Sequence, residues 1–181
     1  RQLRGKAAQT GQGIVSYQKF TYLYKDMEKN EKEQRYQALL QEVEALTAGE
    51  SDEIANMANI AAAIQARMGF HWTGFYRVVG DELVLGPFQG PVACTRIRYG
   101  RGVCGTAWKE CRTLIVPDVE NFPGHIACSA LSRSEIVIPI LRKGAVVAEL
   151  DIDSAELDTF DEVDKRYLTD LLTLLGSAEK S

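Results

Sequence analysis

Apolar residues recur at helical spacing in two long stretches of the amino-terminal half of the chain. Between residues 52 and 68 they return every three or four positions and stop before Gly69, which predicts a helix that ends at that glycine. Residues 16–47 are polar with spaced apolar positions and predict one or two surface helices.

The middle of the chain changes to the composition of strands. The run FHWTGFYRVV, which begins at Phe70, is rich in aromatic and β-branched residues, and a tight turn at Gly80-Asp81 leads into ELVLG. These features predict a β-hairpin. Residues 87–101 are expected to form a long loop or an irregular strand, 103–110 a short helix and 113–116 a short buried strand.

A second hairpin is predicted from EIVIPIL and AVVAELDID. A three-residue turn over 142–144 places Glu135 opposite Asp151 and gives one wholly apolar face. That face carries Ile136, Ile138, Ile140, Val146, Ala148, Leu150 and Ile152. On the other face, Glu135, Asp151 and Asp153 gather at one end of the hairpin.

A closing helix completes the pattern. Its apolar face carries Val163, Tyr167, Leu171 and Leu175. Thr159 and Glu162 have the spacing of a capping box at its start. Helices followed by an antiparallel sheet and a last helix predict an α+β fold, with helices on one face of the sheet.

The three clustered carboxylates have three interpretations. They repel one another and raise one another's pKa unless a cation lies among them. The cluster is therefore a solvated strand end, a pocket for an ammonium group, or an oxygen-only site for Mg²⁺ or Ca²⁺.

Length, charge and cysteine usage narrow the class of protein. A chain of 181 residues fits one domain with an amino-terminal extension, and a net charge of -4 argues against nucleic acid as a partner. No apolar run approaches the roughly 18 residues of a membrane span. Four cysteines are too few for a disulfide-rich secreted scaffold and favour a reducing compartment, where clustered thiols are more often catalytic or metal-bound.

Cys104 lies within Gly-Arg-Gly-Val-Cys-Gly, residues 100–105. This matches G-x-G-x-x-G, but no buried parallel strand precedes it, so a dinucleotide site is not expected. The glycines instead introduce the short helix, and Cys104 falls in its first turn, where the helix dipole lowers the pKa of a thiol. The alternative is a small buried cysteine that packs the helix.

The other cysteines lie at loops or at a helix end. Cys94 and Cys128 fall in predicted loops, where thiols can exchange disulfides, and Cys111 ends the short helix as a structural residue. No pair has the spacing typical of zinc ligands. His125 and Cys128 share one loop, and no third group for a catalytic dyad is evident.

Several segments together resemble one enzyme family. HWTGFY (71–76), GPFQGPVACTRI (86–97), GRGVCGTAW (100–108), VPDVENFPGHIACSA (116–130), SEIVIPI (134–140) and LDIDS (150–154) resemble free methionine-(R)-sulfoxide reductases, which are GAF-domain enzymes. One departure is IACSA around Cys128, where IACDA is commoner in the family. The resemblance implies a GAF domain over 50–181. The residues before it lie outside the family pattern, and their composition and spacing predict a flexible tail over 1–15 and a helical extension over 16–49.

The resemblance also implies site residues and partners. Cys128 matches the attacking thiol, Cys94 its resolving partner and Cys104 the third redox cysteine, although the dipole argument leaves Cys104 open as the attacking group. The substrate-binding residues implied are Trp72, Tyr76, Glu135, Asp151 and Asp153. The implied reaction reduces free methionine sulfoxide through a sulfenic acid and a disulfide, without metal or cofactor, and a thioredoxin-type dithiol recycles the enzyme in the cytoplasm.

Two other functions and one assembly stay open at this point. A sensory GAF module would bind a small ligand without turnover, but such modules usually lie in longer chains beside signalling domains, which favours an enzyme here. A thiol redox switch would form a disulfide with peroxide and make no methionine. GAF domains often pair through terminal helices, so a homodimer is a further expectation.

Overall fold

A computed structural model of the chain describes residues 11–126 and 128–175, and the side chains from residue 27 onward within those ranges. The helices of this part are α1 (Gly11–Thr47), α2 (Glu53–Met68), α3 (Gly102–Glu110) and α4 (Glu162–Thr173). The strands are β1 (Trp72–Val79), β2 (Glu82–Gln89), β3 (Arg96–Arg98), β4 (Leu114–Val116), β5 (Ser134–Arg142) and β6 (Ala145–Ser154). None of these helices is long and apolar enough to cross a membrane.

The chain divides into two compact units, with the boundary inside α1 between Gln34 and Arg35. The second unit holds the sheet, helices α2 to α4 and the remainder of α1. The tail expected over 1–15 falls mostly outside the described residues, and α1 already begins at Gly11.

One sheet of six strands organises the second unit, in the order β3-β2-β1-β6-β5-β4. Every pairing between neighbouring strands is antiparallel, so the described part contains no βαβ unit for a dinucleotide. This confirms the predicted α+β class and both predicted hairpins.

The two faces of the sheet carry separate cores. One face packs against α1, α2 and α4 through residues such as Leu39, Ile60 and Leu168, all fully buried. The opposite face packs against α3 and the loops, with Trp72, Tyr76 and Val103 among its buried residues. Helix α3 thus lies on the second face of the sheet, whereas the sequence pattern predicted helices on one face only.

Local capping sets the ends of the helices. Asp52 accepts a hydrogen bond from the Ala55 amide at 2.8 Å to start α2, and Gly69 ends it as predicted. The capping box of α4 was predicted wrongly. Asp161 and Asp164 form it, because they have the same three-residue spacing and Asp161 starts the helix two residues later.

The register of the β5–β6 hairpin also differs from the prediction. The turn has two residues, Lys143 and Gly144, and Glu135 lies opposite Asp153 rather than Asp151. The pairing shifts by one residue between Ile140 and Leu141, which is a β-bulge that leaves Val147 unpaired. The bulge restores the alternation, so the three carboxylates still share a face, but Val147 rather than Val146 packs towards the core.

Candidate active site

Two loops bring Cys94 and Cys128 together. The loop from β2 to β3 carries Cys94, and the loop before β5 carries Cys128. Their Cα atoms lie 5.3 Å apart and their sulfur atoms form a disulfide, across 34 residues of sequence. Both residues are half-buried, so the pair lies at the boundary between the interior and solvent. A thiol pair at this boundary can meet both an enclosed ligand and an external reductant.

Aromatic side chains of β1 hold the first of these loops in place. The Tyr76 hydroxyl donates a hydrogen bond to the Cys94 carbonyl oxygen at 2.8 Å. The Trp72 indole N–H donates to the Pro91 carbonyl oxygen at 3.1 Å. Both rings face the same side of β1, as their spacing predicted, and their centroids lie 6.0 Å apart. They therefore form one wall of a cavity and also position the Cys94 loop.

Cys104 lies in the first turn of α3 as predicted, but its chemistry does not match the prediction. The thiol is buried, and its Sγ lies 3.8 Å from Oε1 of Glu135. Burial, followed by the charges of Asp151 and Glu135, raises the pKa of Cys104 well above its usual range. The prediction that the helix dipole makes Cys104 a reactive thiolate is therefore wrong.

Three carboxyl groups gather below Cys104 on the pocket face of β5 and β6. Glu135 lies opposite Asp153, and Asp151 lies two pairs further along the ladder, on the same face. Burial raises the pKa values of Glu135 and Asp151 well above their usual range, and the charge of Asp153 adds to the shift in both. Burial raises the pKa of Asp153 to about 6, although a hydrogen bond from Ser132 opposes the shift. Glu135 and Asp151 therefore favour their protonated forms, whereas Asp153 is mostly ionised near neutral pH.

The same groups are close enough to raise the question of a metal. One ligand atom each from Cys104, Glu135 and Asp151 lies within 4.8 Å of the others. A cation would compete there with the protons that burial favours on the thiol and the two carboxyl groups. We describe the three groups below as an acid cluster, the form that their raised pKa values favour.

One cavity joins these features. It is lined by most of the residues that the sequence resemblance implied: Trp72, Tyr76, Cys104, Cys128, Glu135, Asp151 and Asp153. Cys94 does not line it directly but is bonded to Cys128. The cavity thus has an aromatic wall, an acid floor and a disulfide at its edge.

The cavity also contains residues that the sequence reasoning did not assign. Arg101, His125, Ser129 and Ser132 line it. His71 Nε2 lies 3.1 Å from Ser129 Oγ and ties the Cys128 loop to the start of β1. Burial lowers the pKa of His125, so its ring is neutral and does not compete for the acid cluster. Only the closeness of His125 to Cys128 in sequence could have pointed to it.

A glycine shapes the aromatic wall. A Cβ atom at Gly74 would lie 2.4 Å from Cη2 of Trp72 and 2.5 Å from Cβ of Phe88. Both rings therefore lie across the backbone of Gly74, with their centroids 5.5 Å apart. The sequence signal was the single glycine inside a strand, which often marks a close approach.

Comparison with known proteins places this geometry in context. A family model described as a GAF domain matches residues 50–178. GAF domain-containing protein A of Dictyostelium discoideum is 57% identical over 84% of this chain and 97% of its own. Free methionine-R-sulfoxide reductase of Escherichia coli is 45% identical over 77% of this chain and 86% of its own. A solved free methionine-R-sulfoxide reductase from Neisseria meningitidis, in complex with its substrate, has a TM-score of 0.77 and 50% identity, over 79% of this chain and 87% of that one.

Proposed function

The chain belongs to the free methionine-R-sulfoxide reductases of the GAF-domain family, and we propose that it reduces free methionine (R)-sulfoxide to methionine. The observation that carries the proposal is the Cys94–Cys128 pair at the edge of a cavity whose floor is a cluster of carboxyl groups with raised pKa values. A sulfoxide needs both parts, since a thiol must attack sulfur while an acid protonates oxygen.

The acid cluster suits the polar groups of the substrate. An ionised Asp153 can hold the substrate ammonium group, because its pKa of about 6 leaves it mostly charged at neutral pH. Glu135 and Asp151 keep a proton and can donate it to the sulfoxide oxygen, which makes sulfur electrophilic.

The aromatic wall suits the apolar end of the substrate. Trp72 can pack against the sulfur and its methyl group, a contact that contributes roughly 0.3–1.5 kcal/mol. Residues of both cysteine loops line the cavity, so we expect a methionine sulfoxide with peptide continuations to clash with these loops. Free substrate is therefore the expected form.

The cysteines divide the redox chemistry between them. Cys128 lines the cavity and attacks the substrate sulfur. The oxygen passes to Cys128 as a sulfenic acid and methionine leaves. Cys94 then attacks the Cys128 sulfur, water leaves and the disulfide forms. The raised pKa of Cys104 favours a neutral thiol beside Glu135. A neutral thiol is a poor nucleophile, so Cys104 is not the attacking group.

Recycling and assembly form a second part of the proposal. A thioredoxin-type dithiol, with a potential of about -270 mV, reduces the half-buried disulfide. Such a cycle requires a reducing compartment, so the cytoplasm is the proposed location. Two copies of the chain form a homodimer, and sedimentation at several concentrations tests this pairing.

The test compares three substrates with dithiothreitol as reductant. The protein is incubated with free methionine (R)-sulfoxide, the S epimer and a peptide-bound sulfoxide, and methionine is quantified. We expect turnover of the free R form alone and a loss of at least about 1,000-fold in Cys128→Ser. Cys111→Ser is the matched control, because Cys111 is an exposed thiol that forms no disulfide.

Two results would contradict parts of the proposal. If no sulfoxide yields methionine, the reductase proposal fails, and a GAF module that binds a ligand without turnover becomes the better account. If Cys128→Ser keeps its activity, the attacking thiol has been assigned wrongly.

A further inference from the structure

Glu149 is a fully buried carboxylic acid that the proposed chemistry does not use. It lies on β6 with a relative exposure of 0%. Neither of its side-chain oxygens has a hydrogen-bond partner among the described residues. Buried polar groups in native proteins are almost always paired, so an orphaned carboxyl group calls for an explanation.

The register places Glu149 directly behind the acid cluster. Glu149 lies opposite Tyr76 on β1 and opposite Pro139 on β5. Asp151 follows two residues later on the same face, about 7 Å away along the strand. Asp151 lines the cavity and Glu149 does not, so Glu149 is the inner member of this pair.

The titratable groups that face Glu149 are few. Asp151 is on its own strand, Tyr76 is on β1, Cys104 is on α3, and β5 contributes Pro139 at this position. Burial and the charge of Asp151 raise the pKa of Glu149 well above its usual range. Glu149 therefore favours its neutral, protonated form, and Oδ1 of Asp151 likewise has no hydrogen-bond partner among the described residues.

The proposed reaction creates a need for such a proton. The oxygen atom enters as part of the sulfoxide and leaves as water, so it takes up two protons in each turnover. The first arrives as Cys128 attacks and is oxidised to the sulfenic acid. The second arrives as Cys94 attacks, the sulfur–oxygen bond of Cys128 breaks and water departs. The two thiols release two protons, so the overall reaction is balanced.

We propose that Glu149 is a proton-relay residue that acts through Asp151 and restores its proton between the two steps. The inference rests on the reductase function proposed above. Glu149 lies two residues before Asp151 on the same face of β6. Its carboxyl group can pass a proton to Asp151 Oδ1 by a change of rotamer or through one bridging water. Burial keeps this second proton inside the protein, so the second step does not wait for exchange with solvent.

Single-turnover kinetics separate the two protonations. Reduced protein is mixed with an equal amount of free methionine (R)-sulfoxide, without reductant, at pH 7.5. Methionine, trapped sulfenic acid and disulfide are measured against time. In Glu149→Gln, which keeps the shape of the side chain, methionine forms at the wild-type rate. Disulfide forms about 10- to 100-fold more slowly, and sulfenic acid accumulates.

Two further variants test whether the delay comes from altered packing and not from the loss of the proton donor. Glu149→Met replaces the orphaned acid with an apolar side chain, so it folds and shows the same selective delay. Leu83→Ala removes a fully buried side chain of the same core layer without touching the acid cluster. It lowers the thermal midpoint and delays neither step selectively.

Each other outcome overturns the relay. Wild-type disulfide formation in both Glu149 variants, or an equal slowing of both steps, shows that Glu149 carries no second proton. If only the first step is slowed, Glu149 serves the first protonation and not the second, which also overturns the relay. If the wild-type protein itself forms no methionine, the reductase function has failed, which is a separate result.

Discussion

At the scale of single residues, burial decides the chemistry of the site more strongly than local backbone position. Cys104 lies in the first turn of α3, where a dipole contributes about 0.3–1 kcal/mol in favour of the thiolate. Full burial among carboxyl groups shifts a pKa by up to several units in the other direction. The larger effect prevails, which leaves Cys104 neutral and Cys128 as the better candidate for attack.

Gly74 offers a test at the same scale. Gly74→Ala forces the Trp72 indole away from its position, because the new Cβ has no room beside Cη2. We expect a KM about tenfold higher and a loss of roughly 1–3 kcal/mol in stability from overpacking. Steady-state kinetics and urea unfolding measure the two effects. Gly144→Asn is the control for KM, since Gly144 is remote from the cavity and Asn tolerates its left-handed φ of 81° better than other side chains do. An unchanged KM in Gly74→Ala would remove Trp72 from the binding wall.

At the scale of elements, the β5–β6 hairpin positions the acid cluster through a compensation between its turn and its bulge. A two-residue turn alone would move Glu135 to the apolar face, since side chains alternate along a strand. The bulge at Val147 adds one residue and returns the carboxyl groups to the pocket face. The chemistry of the site therefore depends on an irregularity more than ten residues away from Glu135.

The turn of this hairpin can be improved without touching the site. Lys143 and Gly144 both have positive φ, at 50° and 81°, which is the geometry of a type I′ turn. Asn is preferred at the first of these positions, so Lys143→Asn should stabilise the protein by roughly 0.5–1 kcal/mol. Lys143→Ala removes the same charge without the preference and should not stabilise. Thermal midpoints and kcat/KM measure both variants. Equal midpoints would contradict the assigned turn.

At the scale of the whole molecule, the sheet separates a structural core from a reactive one. Helices α1, α2 and α4 cover one face and stabilise the fold with apolar contacts. The other face accommodates buried carboxyl groups, which cost stability because they are removed from water. The apolar face thus contributes stability and the carboxyl-bearing face reduces it. This division is expected where the residues needed for function destabilise the fold.

This arrangement predicts how stability depends on pH. The folded protein holds protons on the cluster that the unfolded chain has released, so stability falls as pH rises from about 4. For Asp153 the loss continues through its folded pKa of about 6 and is on the order of 2 kcal/mol. Urea unfolding at pH 4 and pH 8 should show a smaller difference in Asp153→Asn than in wild type. Asp170→Asn, at an exposed position on α4, is the control and should keep the wild-type difference. Equal differences in all three proteins would contradict the raised pKa.

The sequence by itself determined the elements of this protein. Helical periodicity, the stop at Gly69 and the turn at Gly80-Asp81 act within a few residues, so each could be predicted from its neighbours. The identity of the site residues came from a family resemblance. The structure brings all of them except Cys94 to one cavity, and Cys94 is bonded to Cys128.

Only the tertiary structure decided the register and the environment of the site. The bulge at Val147, the burial of Cys104 and Glu149, and the approach of Cys94 to Cys128 depend on residues far apart in sequence. A pKa and a sulfur–sulfur contact are properties of surroundings rather than of spacing along the chain. Desolvation and packing act between elements, and no local pattern of residues encodes them.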